Sequence, residues 1–362
     1  MPKRKRLEKR KRSTVRGRNW EERSEADFSH DLAKHRRALA RLPEHSLYRN
    51  PLSDEFTPNA TVVTHARKWA FVRSDDVTTD EAADTRLCLI DERLEEEGAT
   101  LMAPGDRVLI ERDQDGNDVV RGIGERKTTL VRYAPRRRGV SQQIIAANVD
   151  ILVIVAAAAK PPFRPGLIDR FLIAAQLGGV TPVLCVNKMD LVDDAPEQLG
   201  LYRELGIEIC LASCKTGQGI NALRNVLINK TSVFAGHSGV GKSSILNALD
   251  PHLRVFTREV SEATQRGKHA TTAARLYELE GGIRVIDTPG IRTLGLWNVS
   301  AEEVALYFPE IAAQSVKCRF RNCTHTHEPG CAVMAALDAG EVTSQRYASY
   351  KRIRESLEED PL

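Results

Sequence analysis

Aromatic residues make up only 5% of this 362-residue chain, three of them Trp, and there are just four Met. No run of eighteen apolar residues exists, which excludes a membrane-spanning helix. Cysteine is scarce and odd in number at seven, and Cys88, Cys185, Cys210 and Cys214 lie within or beside apolar runs. These four read as buried small hydrophobes, and nothing suggests a disulfide-stapled scaffold. Charge of one sign is not in excess: 53 Lys and Arg stand against 49 Asp and Glu, a net charge of +4. Basic character is therefore local. No internal repeat stands out. What remains is ample core material, 41% hydrophobic, over a length that allows two or three domains.

Continuous apolar runs at 149–158 and 181–188, then IEICLAS, TSVFAG and IRVIDTPG, alternate with helical stretches at 165–177 and 219–228. Runs of this kind are strands covered on both faces, and the alternation predicts βαβ units in a doubly wound α/β sheet. Each motif falls at a strand's carboxyl end, where such sheets bind ligands. NKMD (Asn187, Lys188, Met189, Asp190) comes first and SCKTG (213–217) second. The phosphate loop GHSGVGKS (236–243), a Thr-bearing segment GKHATT (267–272) and DTPG (287–290) follow. These are the five motifs of a guanine-nucleotide hydrolase in circularly permuted order. Permutation is compatible with a fold whose termini lie close together at the surface.

Each motif has a physical task. Gly236, Gly239 and Gly241 let backbone N–H groups face phosphate oxygens, with His237, Ser238, Val240 and Ser244 completing the loop. Lys242 is expected on the β- and γ-phosphates and Ser243 on magnesium. Asp190 suits the paired donors of guanine, which adenine lacks. Asn187 and Lys188 would brace the loop and cover the base, with Ser213, Cys214 and Lys215 on its other side. Asp287 is expected to hold magnesium indirectly, and Gly290 N–H to meet the γ-phosphate. Thr271 or Thr272 would supply the switch hydroxyl on magnesium, with Thr272 expected among the magnesium ligands beside Ser243 and Asp287. Ile291 occupies the position where many GTPases orient water with Gln. His269 is then the candidate catalytic group, the alternatives being a polar loop residue or an RNA contact.

CRFRNCTHTHEPGC places Cys318, Cys323, His325 and Cys331 within fourteen residues, a donor set that suits one tetrahedral structural zinc. His327 is the alternative fourth ligand. The zinc would hold together a segment too small for a core of its own. Helices are predicted at 332–337 and 344–359, the second with Arg346, Lys351, Arg352 and Arg354 on a face that touches RNA or solvent.

Ten of the first eighteen residues are Lys or Arg. Such a block cannot pack, and no apolar region follows to make it a signal peptide. It is an electrostatic arm for nucleic acid, a solvated tail or a localisation signal. Between about 57 and 145, TVVTHARKWAFVR, TRLCLIDE, DRVLIER, DVVRGIGER and TTLVRYA predict five short strands of an oligonucleotide-binding barrel. Trp69 and Phe71 stack on bases or fill the core, and core is expected for at least one. Arg132 and Arg136, Arg137 and Arg138 form a candidate RNA-facing patch.

GHSGVGKSS, GKHATTAARLY, DTPGIR followed by GLW, and the spacing from Cys318 to Cys331 resemble the RsgA (YjeQ) family of circularly permuted GTPases. The resemblance covers roughly 57–362. It implies an oligonucleotide-binding barrel at 56–145, a permuted GTPase domain at 146–298 and a helical zinc domain at 299–362, after a basic extension at 1–55. It further implies a bacterial, cytoplasmic, GTP-hydrolysing enzyme with Mg2+ and one Zn2+. Its role would lie in late maturation of the small ribosomal subunit, bound to rRNA, with no membrane partner and as a monomer. Ala270 departs from the family pattern, which has Thr there. A large-subunit assembly GTPase and an RNA-binding scaffold with structural GTP are the competing readings.

Overall fold

The computed structural model describes residues 56–66, 68–76, 85–96, 99–136, 139–251, 274–288, 294, 296 and 299–359. The basic arm, the Thr segment with His269, Thr271 and Thr272, then Gly290, Ile291, Trp297, Arg137 and Arg138 lie outside the described residues.

Strands β1 (Ala60–His65), β2 (Trp69–Ser74) and β3 (Thr85–Ile90) form the first part of a barrel. A short pair, β4 (Glu95–Glu96) and β5 (Ala99–Thr100), leads into β6 (Arg107–Arg112) and β7 (Asp118–Ile123). The barrel closes in the order β1, β2, β3, β7, β6. Strand alternation sets its lining: Ala60, Val62, Ala70, Val72, Cys88, Val108 and Val120 are each fully buried. So narrow a lumen leaves no room for large rings. Trp69 and Phe71, one of which was expected in the core, both point outward at 44% and 41% exposure.

The expected strand TTLVRYA is not a barrel strand. It is β8 (Thr129–Arg136), paired only with β9 (Gly139–Ala147) in a separate hairpin, while the first predicted run divides into β1 and β2. Leu130, Val131, Ile145 and Ala146 at the hairpin's base are buried in the core of the following domain.

That domain has a six-stranded sheet in the order β12, β11, β10, β13, β15, β14. The strands are β10 (Ile151–Ala157), β11 (Thr181–Asn187), β12 (Glu208–Leu211), β13 (Thr231–Ala235), β14 (Arg275–Leu279) and β15 (Ile283–Asp287). Helices α1 (Pro165–Gly178), α2 (Leu199–Glu204), α3 (Ile220–Leu227) and α4 (Lys242–Leu249) connect or follow them. All pairings are parallel except β14 with β15. The chain runs outward through β11 and β12, then returns to lay β13 beside β10, so the strand order reverses between β10 and β13. Thr64 Oγ1 of β1 donates to the Ala274 carbonyl at 2.8 Å, and Arg73 of β2 pairs with Glu278 of β14. These contacts seat the barrel on the sheet's antiparallel edge.

The C-terminal part carries α5 (Pro309–Ser315), α6 (Ala332–Asp338) and α7 (Ser344–Glu359). Phe308, Val333, Tyr350 and Ile353 share one hydrophobic cluster with Phe171 and Leu184. The segment expected to lack a core therefore borrows that of the sheet domain. Helix α7 also departs from the expected basic face: Arg346 and Arg354 are 2% and 5% exposed and paired with carboxylates. Among the described residues no helix is long and apolar enough to cross a membrane.

Candidate nucleotide site and metal centre

Four loops meet at the carboxyl edge of the sheet. NKMD begins on the last residue of β11, SCKTG follows β12, the phosphate loop follows β13, and Asp287 ends β15. Asn187, 2% exposed, ties three of them together. Its Nδ2 donates to the Val240 carbonyl at 2.9 Å, and its Oδ1 accepts from Cys214 N at 3.3 Å. Gly241 makes that clamp possible. A Cβ there would stand 2.2 Å from Asn187 Nδ2, and its φ of +99 is one that side chains avoid. Gly236 is equally constrained, since a Cβ would lie 2.3 Å from the Val155 carbonyl oxygen of β10.

Asp190 is oriented from the SCKTG side. Ser213 Oγ, fully buried, donates to Asp190 Oδ1 at 2.6 Å, and the exposed Lys215 ammonium lies 3.8 Å from Oδ2. This leaves a carboxylate fixed in direction at the carboxyl edge of the sheet. Lys188 has positive φ and stretches across the site, donating to the Gly239 carbonyl at 2.6 Å and to that of Lys160. Lys160 was not anticipated, because a backbone carbonyl leaves no residue signature. Burial raises the Cys214 thiol above its ordinary pKa, so it is a wall and not a nucleophile.

The phosphate loop wraps the ammonium of Lys242, which donates to the carbonyls of Gly236 at 2.8 Å and His237 at 3.0 Å. His237 Nδ1 meets the Ser238 carbonyl at 2.7 Å. Val240 is buried beneath the loop, whereas Ser238, Gly239, Ser243 and Ser244 are exposed on it. Helix α4 starts at Lys242, so its N-terminal amides and dipole face the same space. Desolvation by surrounding protein raises the Asp287 carboxyl above the ordinary carboxylate range, an effect the Lys242 ammonium opposes. The structure thus gathers every described residue of the expected nucleotide set along one edge.

The second constellation joins Cys318, Cys323, His325 and Cys331, whose donor atoms all lie within 4.8 Å of one another. Cys318 Sγ is 3.9 Å from Cys331 Sγ and 3.4 Å from His325 Nδ1, and Cys331 Sγ is 3.6 Å from that nitrogen. Tetrahedral zinc with Zn–S bonds of about 2.3 Å and Zn–N of about 2.0 Å separates its sulfurs by about 3.8 Å and sulfur from nitrogen by about 3.5 Å. The donor set fits. All seven cysteines are free thiols. His327 is exposed, with its Nδ1 2.8 Å from Thr326 Oγ1.

Glu328 organises this loop and was missed from the sequence. It is 5% exposed and accepts from Thr324 N at 2.8 Å, Thr326 N at 3.1 Å and His327 N at 3.2 Å, and from the Thr324 hydroxyl. Burial alone would raise its pKa; the hydrogen bonds from Thr324, His327 and Thr326 win and hold it at about 2. From α7, Tyr347 Oη donates to the His325 carbonyl at 2.7 Å and Tyr350 Oη to that of Thr324 at 2.9 Å. The only available signal was a single acid in a basic knuckle.

The sequence at 123–297 matches the model of the RsgA GTPase family. A relative from Chlorobaculum tepidum is 40% identical over 274 residues, covering 73% of this chain and 88% of that protein. The chain belongs to the RsgA GTPase family. A Gemmatimonas aurantiaca member is 41% identical over 269 residues, 73% of this chain and 87% of its own length. Both carry the name small ribosomal subunit biogenesis GTPase RsgA. Among solved structures, YjeQ from Thermotoga maritima is 30% identical with a TM-score of 0.61, covering 83% of this chain and 98% of that one. YloQ, described as a circularly permuted GTPase, is 28% identical with a TM-score of 0.61, covering 89% and 99%. The fold is that of these permuted GTPases, with a closed barrel before the sheet and a Cys3His cluster able to hold zinc after it. As a family member the chain is a GTP hydrolase that takes a guanine nucleotide and Mg2+.

Proposed function

We propose that this RsgA-family GTPase acts in the cytoplasm on the maturing small ribosomal subunit, binds its rRNA as a monomer, and leaves when GTP is hydrolysed. What carries the reading is identity of about two fifths, over most of their length, with relatives named for that subunit. The proposed units are an extension at 1–55, a barrel at 56–145, the permuted GTPase at 146–298 and a zinc domain at 299–362.

In the proposed site, Asp190 accepts from guanine's ring N–H and exocyclic amine, while Ser213 and Lys215 keep it aimed. Asn187 holds the loops in register; Lys188 covers the base; Cys214 walls it. The phosphate loop from Gly236 to Ser244 donates its backbone amides to the phosphates, and Lys242 exchanges its carbonyl partners for β- and γ-oxygens. Ser243, Asp287 and Thr272 would hold Mg2+, which neutralises charge on the phosphates. His269, Thr271 and Gly290 complete the proposed catalytic set from outside the described residues. Water attacks the γ-phosphorus, the bond to the bridging oxygen breaks, and that oxygen leaves on GDP. Cys318, Cys323, His325 and Cys331 hold one structural Zn2+, fixing the knuckle against α7.

GTP turnover measured alone, with small subunits and with large subunits tests the reading. Stimulation by small subunits only is the expected result. Equal turnover in all three removes the ribosomal role, and stimulation by large subunits reassigns it.

A further inference from the structure

Strand β1 does not keep its alternation to the end. Val62 pairs with Val72 and Thr64 with Phe71, so Val63 is an extra residue with no partner on β2. A bulge of this kind re-aims the side chains beyond it. Regular pairing would set Thr64 opposite Ala70, which lines the lumen; the bulge sets it opposite Phe71, which faces outward. Val63 joins the hydrophobic cluster of the sheet domain, together with Leu276 of β14 and Ile286 of β15. The Thr64 hydroxyl donates to the Ala274 carbonyl at 2.8 Å, across 210 positions of sequence. Ala274 is the residue before β14, and the first residue of that strand, Arg275, stands directly opposite Asp287. The barrel reaches the same ladder a second time. A Cβ on Gly105 would lie 3.2 Å from Cδ1 of Ile286, the neighbour of Asp287, and Asn148 Nδ2 donates to the Gly105 carbonyl at 2.9 Å.

We propose that Thr64 is a positioning residue for Asp287, setting through Ala274 and Arg275 where that carboxylate stands toward Mg2+; the proposal rests on the magnesium role given to Asp287 above. Strand β14 ends the sheet, with β15 beside it on one side only. Its first residues are therefore held by that ladder and by the barrel. In an antiparallel pair a displacement at one residue is passed to the residue opposite, because the ladder's hydrogen bonds join them. Asp287 at the end of β15 and the exposed Ser243 hydroxyl at the start of α4 are hard oxygen donors on one edge, the kind that magnesium takes. Magnesium demands near-ideal octahedral geometry, so a ligand out of place lowers its affinity. The other barrel contact on β14 is of a different kind. Arg73 pairs with Glu278, whose partner in the ladder is Arg284, three residues before Asp287. Losing that pair should loosen the barrel's seat without moving the end of β15.

The test follows release of a fluorescent GDP from the full chain as magnesium is varied, together with GTP turnover. Thr64→Val keeps the shape of the side chain and removes the donor. Its magnesium midpoints for GDP release and for turnover are expected to rise about 10-fold, the low end of the loss on removing an outer-shell partner of a metal ligand. The loss of turnover should shrink as magnesium saturates, with KM for GTP little moved. Thr64→Ser keeps the donor and should match the parent. Glu278→Gln should lower the thermal midpoint and keep the parent's magnesium midpoints. An unshifted magnesium midpoint in Thr64→Val, or the same shift in Thr64→Ser, overturns the positioning role. An equal shift in Glu278→Gln overturns it too, since any loosening of the barrel would then suffice. A parent chain whose GDP release ignores magnesium removes the magnesium reading of Asp287 itself. That failure is distinct from an unshifted variant beside a magnesium-dependent parent, which removes the positioning role alone.

Discussion

Asp169 and Arg346 lie 177 positions apart and form a buried ion pair, Nη1 to Oδ1 at 2.6 Å, their side chains 0% and 3% exposed. Arg346 Nε also donates to Glu310 at 2.5 Å, and its guanidinium lies 4.3 Å from the Phe308 ring centre. Tyr202 Oη donates to the same Asp169 oxygen at 3.1 Å. Burial pushes the Asp169 carboxyl up, and the Arg346 charge opposes it. The pair pins α7 to α1, so the part with the Cys3His cluster is fixed to the body of the GTPase sheet as well as joined to it through the chain after DTPG.

Breaking that pair should be costly. Asp169→Asn leaves a buried guanidinium short of one partner and should destabilise by about 3–5 kcal/mol. The double change Asp169→Leu with Arg346→Met should cost less than the two single changes added. Urea midpoints of the four proteins check this; additive losses would mean the pair carries no coupling.

Gly241→Ala places a Cβ against Asn187 Nδ2 and should dislodge the amide from Val240 and Cys214. GTP affinity should fall by about 1–3 kcal/mol, the scale of an unpaired buried polar group. Gly239→Ala meets nothing within 4 Å and carries only the strain of its φ, +81. Its loss should be smaller, and calorimetric titration of both variants decides.

Asp190→Asn replaces an acceptor pair with a mixed donor and acceptor. GTP binding should weaken by about 1–3 kcal/mol and xanthosine triphosphate binding should improve. Unchanged GTP affinity would take the base away from Asp190.

The nucleotide edge was legible because each motif is a short run read directly after an apolar strand, and four of the loops do meet. The barrel's interior was less so. Alternation gives two faces of β2 but not which one is enclosed; the small volumes of Ala70 and Val72 decide that only once the lumen is seen. TTLVRYA alternates as a barrel strand does, and its partner at 139–147 lay too close in sequence to be separated from it. Strand β14 was not anticipated, since RLYEL follows closely on the Thr segment and lacks a continuous apolar run. Arg346 looked like a solvated charge because its partner Asp169 is on a distant helix. Burial of charges follows tertiary pairing and leaves no local mark.

His65 gives the barrel a pH dependence. Burial lowers its pKa below the ordinary value, against the opposing charge of Asp106. A depressed folded-state pKa means stability is present above the unfolded value of about 6.5 and is lost as pH falls below it. Thermal melts from pH 7.5 to 5.5 should show a decline that His65→Gln flattens. An identical decline in that variant would assign the effect to another group.

The zinc assignment turns on which histidine closes the tetrahedron. His325 has φ of +55, a conformation that a loop must impose, and Glu328 imposes it by gathering the amides of Thr324, Thr326 and His327. Its Nδ1 then faces Cys318 and Cys331, while His327 faces away toward Thr326. Cys331 also caps α6, accepting from Met334 N at 3.4 Å. His325→Ala and Cys331→Ser should therefore lose metal, and His327→Ala should keep one zinc per chain by elemental analysis. Because the knuckle packs on α7 and shares its core with the sheet, metal loss should lower the unfolding midpoint of the whole C-terminal half. Glu328→Gln keeps the shape of the acceptor but removes its charge, so zinc should be retained with affinity lowered about 10- to 100-fold, as for other outer-shell partners. Full metal content in His325→Ala with loss in His327→Ala would move the ligand to His327 and overturn this geometry.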